Sequence, residues 1–181
     1  VDLTNRLFLA VGLSDLARGD VVAALDGLAI PGSLVRPAGW HLTLRFLGSA
    51  DEVATDRVTA AVAQSSLGAG FVMTIAGLGA FPNPRRATVI WLGITRGEDR
   101  LTELAELCEE AAQSAGFPPE DRPFHPHLTL SRVRPAENVV DLVESEPPPP
   151  IRTTVDRVTL FRSHLGRGGA VYEPIEEFQL S

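Results

Sequence analysis

His41-Leu42-Thr43-Leu44-Arg45-Phe46-Leu47-Gly48 and His127-Leu128-Thr129-Leu130-Ser131-Arg132-Val133 decide how this chain is read. Both open on H-L-T-L and alternate, the period of a half-buried β-strand. On a strand, residues i and i+2 share a face and lie about 6–7 Å apart. His41 and Thr43 are therefore expected on one face, and His127 and Thr129 on another. Leu42 and Leu128 turn the other way, into a core. The same period puts Ser131 beside His127 and Thr129. Each motif also carries an arginine, Arg45 or Arg132, at different offsets from its histidine.

Outward from these strands the chain repeats itself. Arg6–Leu13 reads as a strand buried on both faces. Ser14 and Asp15 are N-cap candidates for a helix to about Leu28, with Leu16, Val21, Val22, Leu25 and Leu28 as its apolar residues. The first motif strand, Trp40–Leu47, follows. A second helix fits Asp51 to about Ser65, and Phe71–Leu78 reads as a strand. Ala87–Ile94 is then a strand, Arg100–Ala115 a helix stopped by Gly116, and His127–Val133 the second motif strand. Strand, helix, H-x-T strand thus occurs twice, at roughly 6–47 and 87–133. Asn138 to about Glu144 reads as a short helix and Pro147–Pro150 as an extended connector. Val155–Phe161 and Val171–Gln179 close the chain around a glycine-rich turn, Gly166–Gly169. Several connections are too short for a parallel crossover. The expected architecture is α+β, with antiparallel or mixed sheets and helices packed on one face, and the repeat suggests two similar lobes facing each other across a groove.

Composition removes several chemistries. All 16 basic residues are arginine. Without lysine there is no P-loop lysine, Schiff base or lysine adenylate. The single cysteine, Cys108, excludes an intrachain disulfide and a multi-thiolate zinc site, and its place on a helical stripe reads as core. A net charge of −7 argues against indiscriminate binding of long nucleic acid. Leu7–Leu13 is too short to cross a bilayer, and no signal peptide is expected. The expectation is a monomeric cytoplasmic protein with no membrane partner.

Two imidazoles and two hydroxyls facing one groove suit in-line displacement at phosphorus. A neutral histidine accepts a proton from water, and a protonated one gives a proton to the leaving oxygen. Hydroxyls and an arginine hold the non-bridging oxygens. Neither metal nor other cofactor is required.

HLTLRFLG (41–48) and HLTLSR (127–132) resemble the paired motifs of the two-histidine phosphoesterases. Within them the best match is the RNA 2′,3′-cyclic phosphodiesterase family, also called 2′-5′ RNA ligases. RLFLAV (6–11), FPNPRRATVIWLGI (81–94) and VTLFRSHLGRGGAVYEPI (158–175) extend the resemblance nearly end to end. It implies a bilobal fold, one catalytic domain over residues 1–181 with two antiparallel or mixed sheets facing a central cleft and helices outside, and hydrolysis of 2′,3′-cyclic phosphates on RNA ends, or on small cyclic nucleotides, to 2′-phosphates. ATP-independent joining or cleavage of 2′-5′ linkages is a further implied activity. Carried over, His41 matches the proton donor and His127 the proton acceptor. Thr43 and Thr129 match the phosphate-binding hydroxyls and Arg132 the arginine of the second motif. Ser131 stands where that motif often has alanine.

Other substrate contacts are expected from Phe8 beside the groove, from Arg85 and Arg86 in a proline-rich loop, and from Tyr172. Core packing is the alternative for Phe8 and Tyr172, and a solvated loop for the two arginines. Trp40 and Trp91 read as core and His164 as a surface histidine. His125 forms an H-x-H pair with His127, so a His-based metallohydrolase is one rival reading. A non-catalytic module binding RNA ends or nucleotides is the other.

Overall fold

A computed structural model that describes residues 6–166 and 169–181 has nine strands and four helices: the seven strands and four helices expected, in that order, and two further strands. Arg6–Gly12 is β1, Asp15–Ala24 α1, Ser33–Leu34 β2, His41–Ser49 β3 and Glu52–Gln64 α2. Phe71–Phe81 is β4, Ala87–Arg96 β5, Glu98–Ser114 α3, His127–Glu137 β6 and Val140–Glu144 α4. Ile151–Val155 is β7, Arg157–Gly166 β8 and Gly169–Gln179 β9. No helix among the described residues is long and apolar enough to cross a membrane.

The strands form two antiparallel sheets. One has the order β3-β1-β8-β9 and the other β2-β6-β5-β4-β7. The repeat is visible as two equivalent pairings. β1 pairs with β3, bringing Gly12 opposite His41, and β5 pairs with β6, bringing Gly93 opposite His127.

The helices pack into the core against the leucine faces of the motif strands. One continuous core joins Leu7, Leu9, Leu42 and Leu160 of the first sheet to Ile75, Leu92, Leu128 and Leu130 of the second. Val21, Val58, Val62, Leu101, Leu104 and Cys108 enter it from the helices. α3 follows a strand of the second sheet but touches β3 of the first; α1 follows a strand of the first but touches β7 of the second. Ser14 caps α1 by accepting from the Ala17 amide, and Asp51 caps α2 by accepting from Ala54.

Several strands run beyond the sequence reading, and three larger departures bear on the fold. α1 stops at Ala24 because the chain turns through Gly27, at φ 78°, a conformation that side-chain-bearing residues avoid. Leu16 and Val22 of its predicted stripe are exposed, whereas Val21 is buried. Second, the stretch after the prolines is two strands. β7 belongs to the second sheet, β8 to the first, and the chain changes sheets at Asp156. Third, short β2 pairs with β6 at Arg132 and Ser131. Gly32, just before it, passes so close that an added Cβ would lie 2.5 Å from the Arg132 carbonyl oxygen. The glycine-rich turn keeps the pairing Gly166 with Gly169, while Arg167 and Gly168 lie outside the described residues.

Candidate active site

The two motif strands meet along a cleft of about 1290 Å³. His41, Thr43, His127, Thr129, Arg132, Phe8 and Tyr172 all line it, although the motifs are far apart in sequence.

Each histidine is held in the same way. His41 Nδ1–H donates to the Gly39 carbonyl at 2.8 Å, and His127 Nδ1–H donates to the His125 carbonyl at 2.7 Å. Both acceptors lie two residues before their histidine. A proton committed to Nδ1 leaves Nε2 as the nitrogen able to exchange one. His41 Nε2 lies 3.1 Å from Thr43 Oγ1, so in the neutral ring the threonine hydroxyl donates to it. Phe8 and Tyr172 pack on His41 with ring centroids 4.8 and 4.9 Å away. Phe81 packs edge-on to His127 at 5.0 Å, and Trp91 sits behind at 6.2 Å.

These aromatic walls set the electrostatics. Burial pushes the His41 pKa down to about 4, against the opposing pull of the Gly39 carbonyl; His127 and Arg132 depress it further. Burial also lowers the His127 pKa, against the pull of the His125 carbonyl, and the charges of His125 and Arg132 add to the fall. The walls of the cleft thus disfavour positive charge at both imidazoles.

Beyond the threonines both strands carry a β-bulge at the same place. Thr43 faces Ala10 and Arg45 faces Leu9, leaving Leu44 as the extra residue. Thr129 faces Trp91 and Ser131 faces Ile90, leaving Leu130 extra. A bulge resets which residues share a face. Ser131 therefore does not join His127 and Thr129. It is 0% exposed, and its hydroxyl donates to the Pro31 carbonyl at 2.5 Å. Its expected role on substrate is replaced by one of tying the segment before β2 to β6.

The bulge also separates the two arginines. Arg45, four residues after its histidine, is 7% exposed and bonded to Glu109 and to the carbonyls of Phe46 and Pro118. Arg132, five residues after its histidine, is exposed on the cleft. The residue equivalent to Arg132 in β3 is Phe46, which is exposed on the cleft and was not singled out from sequence. An ungapped overlay of the two motifs would have found it.

The remaining candidates divide. Tyr172 stands against His41, where a ligand can reach it. Phe8 is only 1% exposed, packed among His41, Phe46, Phe161 and Tyr172, so it supports the site in place of the expected base contact. Arg85 and Arg86 are exposed on the turn Pro84–Arg86 and do not line the cleft. Trp40 is in the core, and Trp91 is half-buried against Phe81 and His125. His164 is exposed and pairs with Glu173 at 2.7 Å. His125 lines the cleft, but no group of three or more His, Cys, Asp or Glu able to hold a metal occurs among the described residues.

Known proteins resemble this chain in sequence and fold. Residues 31–167 match the model of the 2'-5' RNA ligase superfamily. The chain is 33% identical to an RNA 2',3'-cyclic phosphodiesterase of Methanothermobacter thermautotrophicus, over 97% of this chain and 98% of the relative. It is 30% identical to that of Escherichia coli K12, over 98% and 97%. The crystal structure of E. coli LigT complexed with 3'-AMP superposes with a TM-score of 0.84 at 29% identity, covering 98% of this chain and 99% of the other. Duplicated H-x-T strands, two antiparallel sheets and a match over most of the chain agree: the protein belongs to the 2'-5' RNA ligase superfamily.

Proposed function

We propose that the protein is an RNA 2′,3′-cyclic phosphodiesterase, a monomeric cytoplasmic enzyme using its whole length as one bilobal catalytic unit. The carrying observation is the matched pair of imidazoles in one cleft, each with Nδ1 tied to a backbone carbonyl and Nε2 left to exchange a proton. The relatives named as RNA 2',3'-cyclic phosphodiesterases supply the substrate class.

In this reading the cyclic phosphate sits between the motif strands. His127 Nε2 takes a proton from a water that attacks phosphorus. The bond from phosphorus to the ribose 3′ oxygen breaks, and His41 gives its Nε2 proton to that oxygen. The product is a 2′-phosphate beside a free 3′ hydroxyl. Thr43, Thr129 and Arg132 hold the non-bridging oxygens, with the guanidinium able to engage two at once. Thr43 has a second task. Its hydroxyl donates to neutral His41; once Nε2 is protonated, that hydroxyl is free to turn to a phosphate oxygen. Because burial keeps His41 neutral, the substrate's own negative charge draws in the proton that His41 delivers. No step uses ATP, and the same chemistry run between two RNA ends joins or cleaves 2′-5′ linkages.

Incubation with an RNA oligomer ending in a 2′,3′-cyclic phosphate tests this. Formation of a 2′-phosphate, lost in His41→Ala and His127→Ala, supports it. A 3′-phosphate product would reverse the leaving group, and full activity in either variant would remove the assignment.

A further inference from the structure

One wall of the cleft is built from neither sheet. It is the segment 115–126, which runs from the end of α3 to β6 without helix or strand. Glu120, Arg122, Pro123, Phe124 and His125 of this segment line the cleft. Its last turn holds the His125 carbonyl, which accepts from His127 Nδ1–H. Phe117 and Phe124 anchor the segment in the core. Between those anchors, among the described residues, two hydrogen bonds tie residues 118–123 to the rest of the molecule, and both involve one ion pair.

That pair joins Arg45 of β3 to Glu109 of α3. Every nitrogen of the guanidinium donates: Nε to Glu109 Oε2, Nη1 to the Phe46 carbonyl and Nη2 to the Pro118 carbonyl. The other carboxylate oxygen, Oε1, accepts from the Glu120 amide at 3.0 Å and from Gln113 Nε2 at 2.8 Å. Arg45 and Glu109 therefore clamp the segment, at Pro118 and Glu120, to the strand that carries His41. Packing alone does not call for such a pair. Charges are costly to bury, and apolar side chains of similar size often stabilise a core as well or better. What the pair adds is direction, through a rigid fork that reaches strand, helix and segment together. The equivalent position of the other motif behaves alike: Ser131 is buried and fastens the segment before β2.

We propose that Arg45 and Glu109 are positioning residues for the proton acceptor: they fix the segment 115–126 against β3, and so set both the carbonyl that orients His127 and the wall that shields it from water. The inference rests on the reading of His127 as the base. The groups facing His127 are His125 in the segment, Arg132 on β6 and His41 across the cleft, with uncharged Phe81 and Trp91 from β4 and β5. Arg45 and Glu109 are not among the charges that shift it, so removing both leaves its charged neighbours in place. Burial is the main cause of the low His127 pKa. Loosening the wall admits water and raises that pKa toward the ordinary histidine value. A base works only while neutral, so the acid limb of the rate profile moves to higher pH in step.

The test variant is Arg45→Met/Glu109→Met, which removes the clamp without leaving a lone charge. Arg45→Lys is its companion, keeping the charge but unable to serve three acceptors at once. Urea denaturation establishes that each folds. On 2′,3′-cyclic AMP the double variant should lose about 10–100-fold in kcat, with a smaller change in KM, because the base is displaced while the phosphate contacts remain. Its acid limb should move to higher pH, and Arg45→Lys should fall between it and wild type. The His127 Cε1–H resonance, titrated by NMR, should show the same upward shift without any substrate. An unmoved His127 titration or an unchanged kcat in the folded double variant would overturn the proposal. Loss of cooperative unfolding in both variants would assign the pair to folding alone and overturn it too. A wild type that hydrolyses nothing would end the catalytic reading, while the NMR titration still decides whether the clamp positions His127.

Discussion

His41 is the residue at which the site's electrostatics can be measured directly. With its pKa held at about 4, roughly one molecule in a thousand carries a proton there at pH 7. One negative charge about 4 Å away, at an effective dielectric near 20, contributes about 4 kcal/mol to the protonated form. That raises the proton affinity about a thousand-fold, since each tenfold step costs about 1.4 kcal/mol. An anion in the cleft should thus bring His41 from almost wholly neutral to about half protonated at pH 7, with His127 sharing part of the effect. The sign is fixed. The bound state holds the extra proton, so anion affinity rises as pH falls from 8 toward 5 and levels off once the free protein is itself protonated. Sulfate is a suitable probe because its charge is constant over this range. Histidine Cε1–H NMR titration with and without saturating sulfate, assigned through His127→Gln, gives both curves. Calorimetry in buffers of different ionisation enthalpy counts the proton taken up. A free-protein His41 that titrates at the ordinary histidine value, or one that sulfate does not move, would refute the reasoning.

Arg132→Ala should lower kcat/KM by about 10²–10³, and Arg132→Lys should recover only part, because an ammonium cannot reproduce the fork. Ser131→Ala should lose about 1–3 kcal/mol in urea denaturation by leaving the Pro31 carbonyl without its donor, and change kcat little. Arg45→Ala should be the more damaging to folding, about 3 kcal/mol, since it removes the partner of Glu109 Oε2 and leaves the Phe46 and Pro118 carbonyls without this donor, again read by urea denaturation. Gly79→Ala places a methyl 2.2 Å from the Trp91 ring and should cost about 1–3 kcal/mol, with a change in tryptophan fluorescence as that ring shifts away from Phe81 and His125. Turnover of 2′,3′-cyclic AMP should persist in excess EDTA; loss restored by zinc or manganese would favour the His125/His127 metal reading.

The strand period was enough to place His41, Thr43, His127 and Thr129 on one cleft, because those residues precede the bulge and simple alternation holds for them. It failed at Ser131 because a bulge is a property of two paired strands and is not written in either alone. The arginine offsets carried the missing signal: Arg45 at four residues is buried and Arg132 at five is exposed. The early end of α1 was encoded in Gly27, which the apolar periodicity outweighed. β7 was missed because Asp156 divides two strands that continue almost unbroken in sequence while changing sheets. Phe8 and Tyr172 were expected beside the groove as substrate contacts or as core, and only packing shows that one is sealed beneath His41 and the other accessible.

The way the strands are shared out between the sheets has a consequence for the order in which the molecule is made. Apart from β2, the second sheet comes from one uninterrupted stretch, Phe71–Val155, whose strands pair mostly with sequence neighbours. The first sheet joins opposite ends of the chain, with Arg6 registered against Ser163. Pairings that close long loops pay their entropy first and form late. During synthesis from the N-terminus, the strands around His127 are complete once Val155 has emerged, whereas β1 waits for β8 to cover its open edge. A nascent chain halted at Asp156 would carry one half of the cleft folded and the other still unfinished.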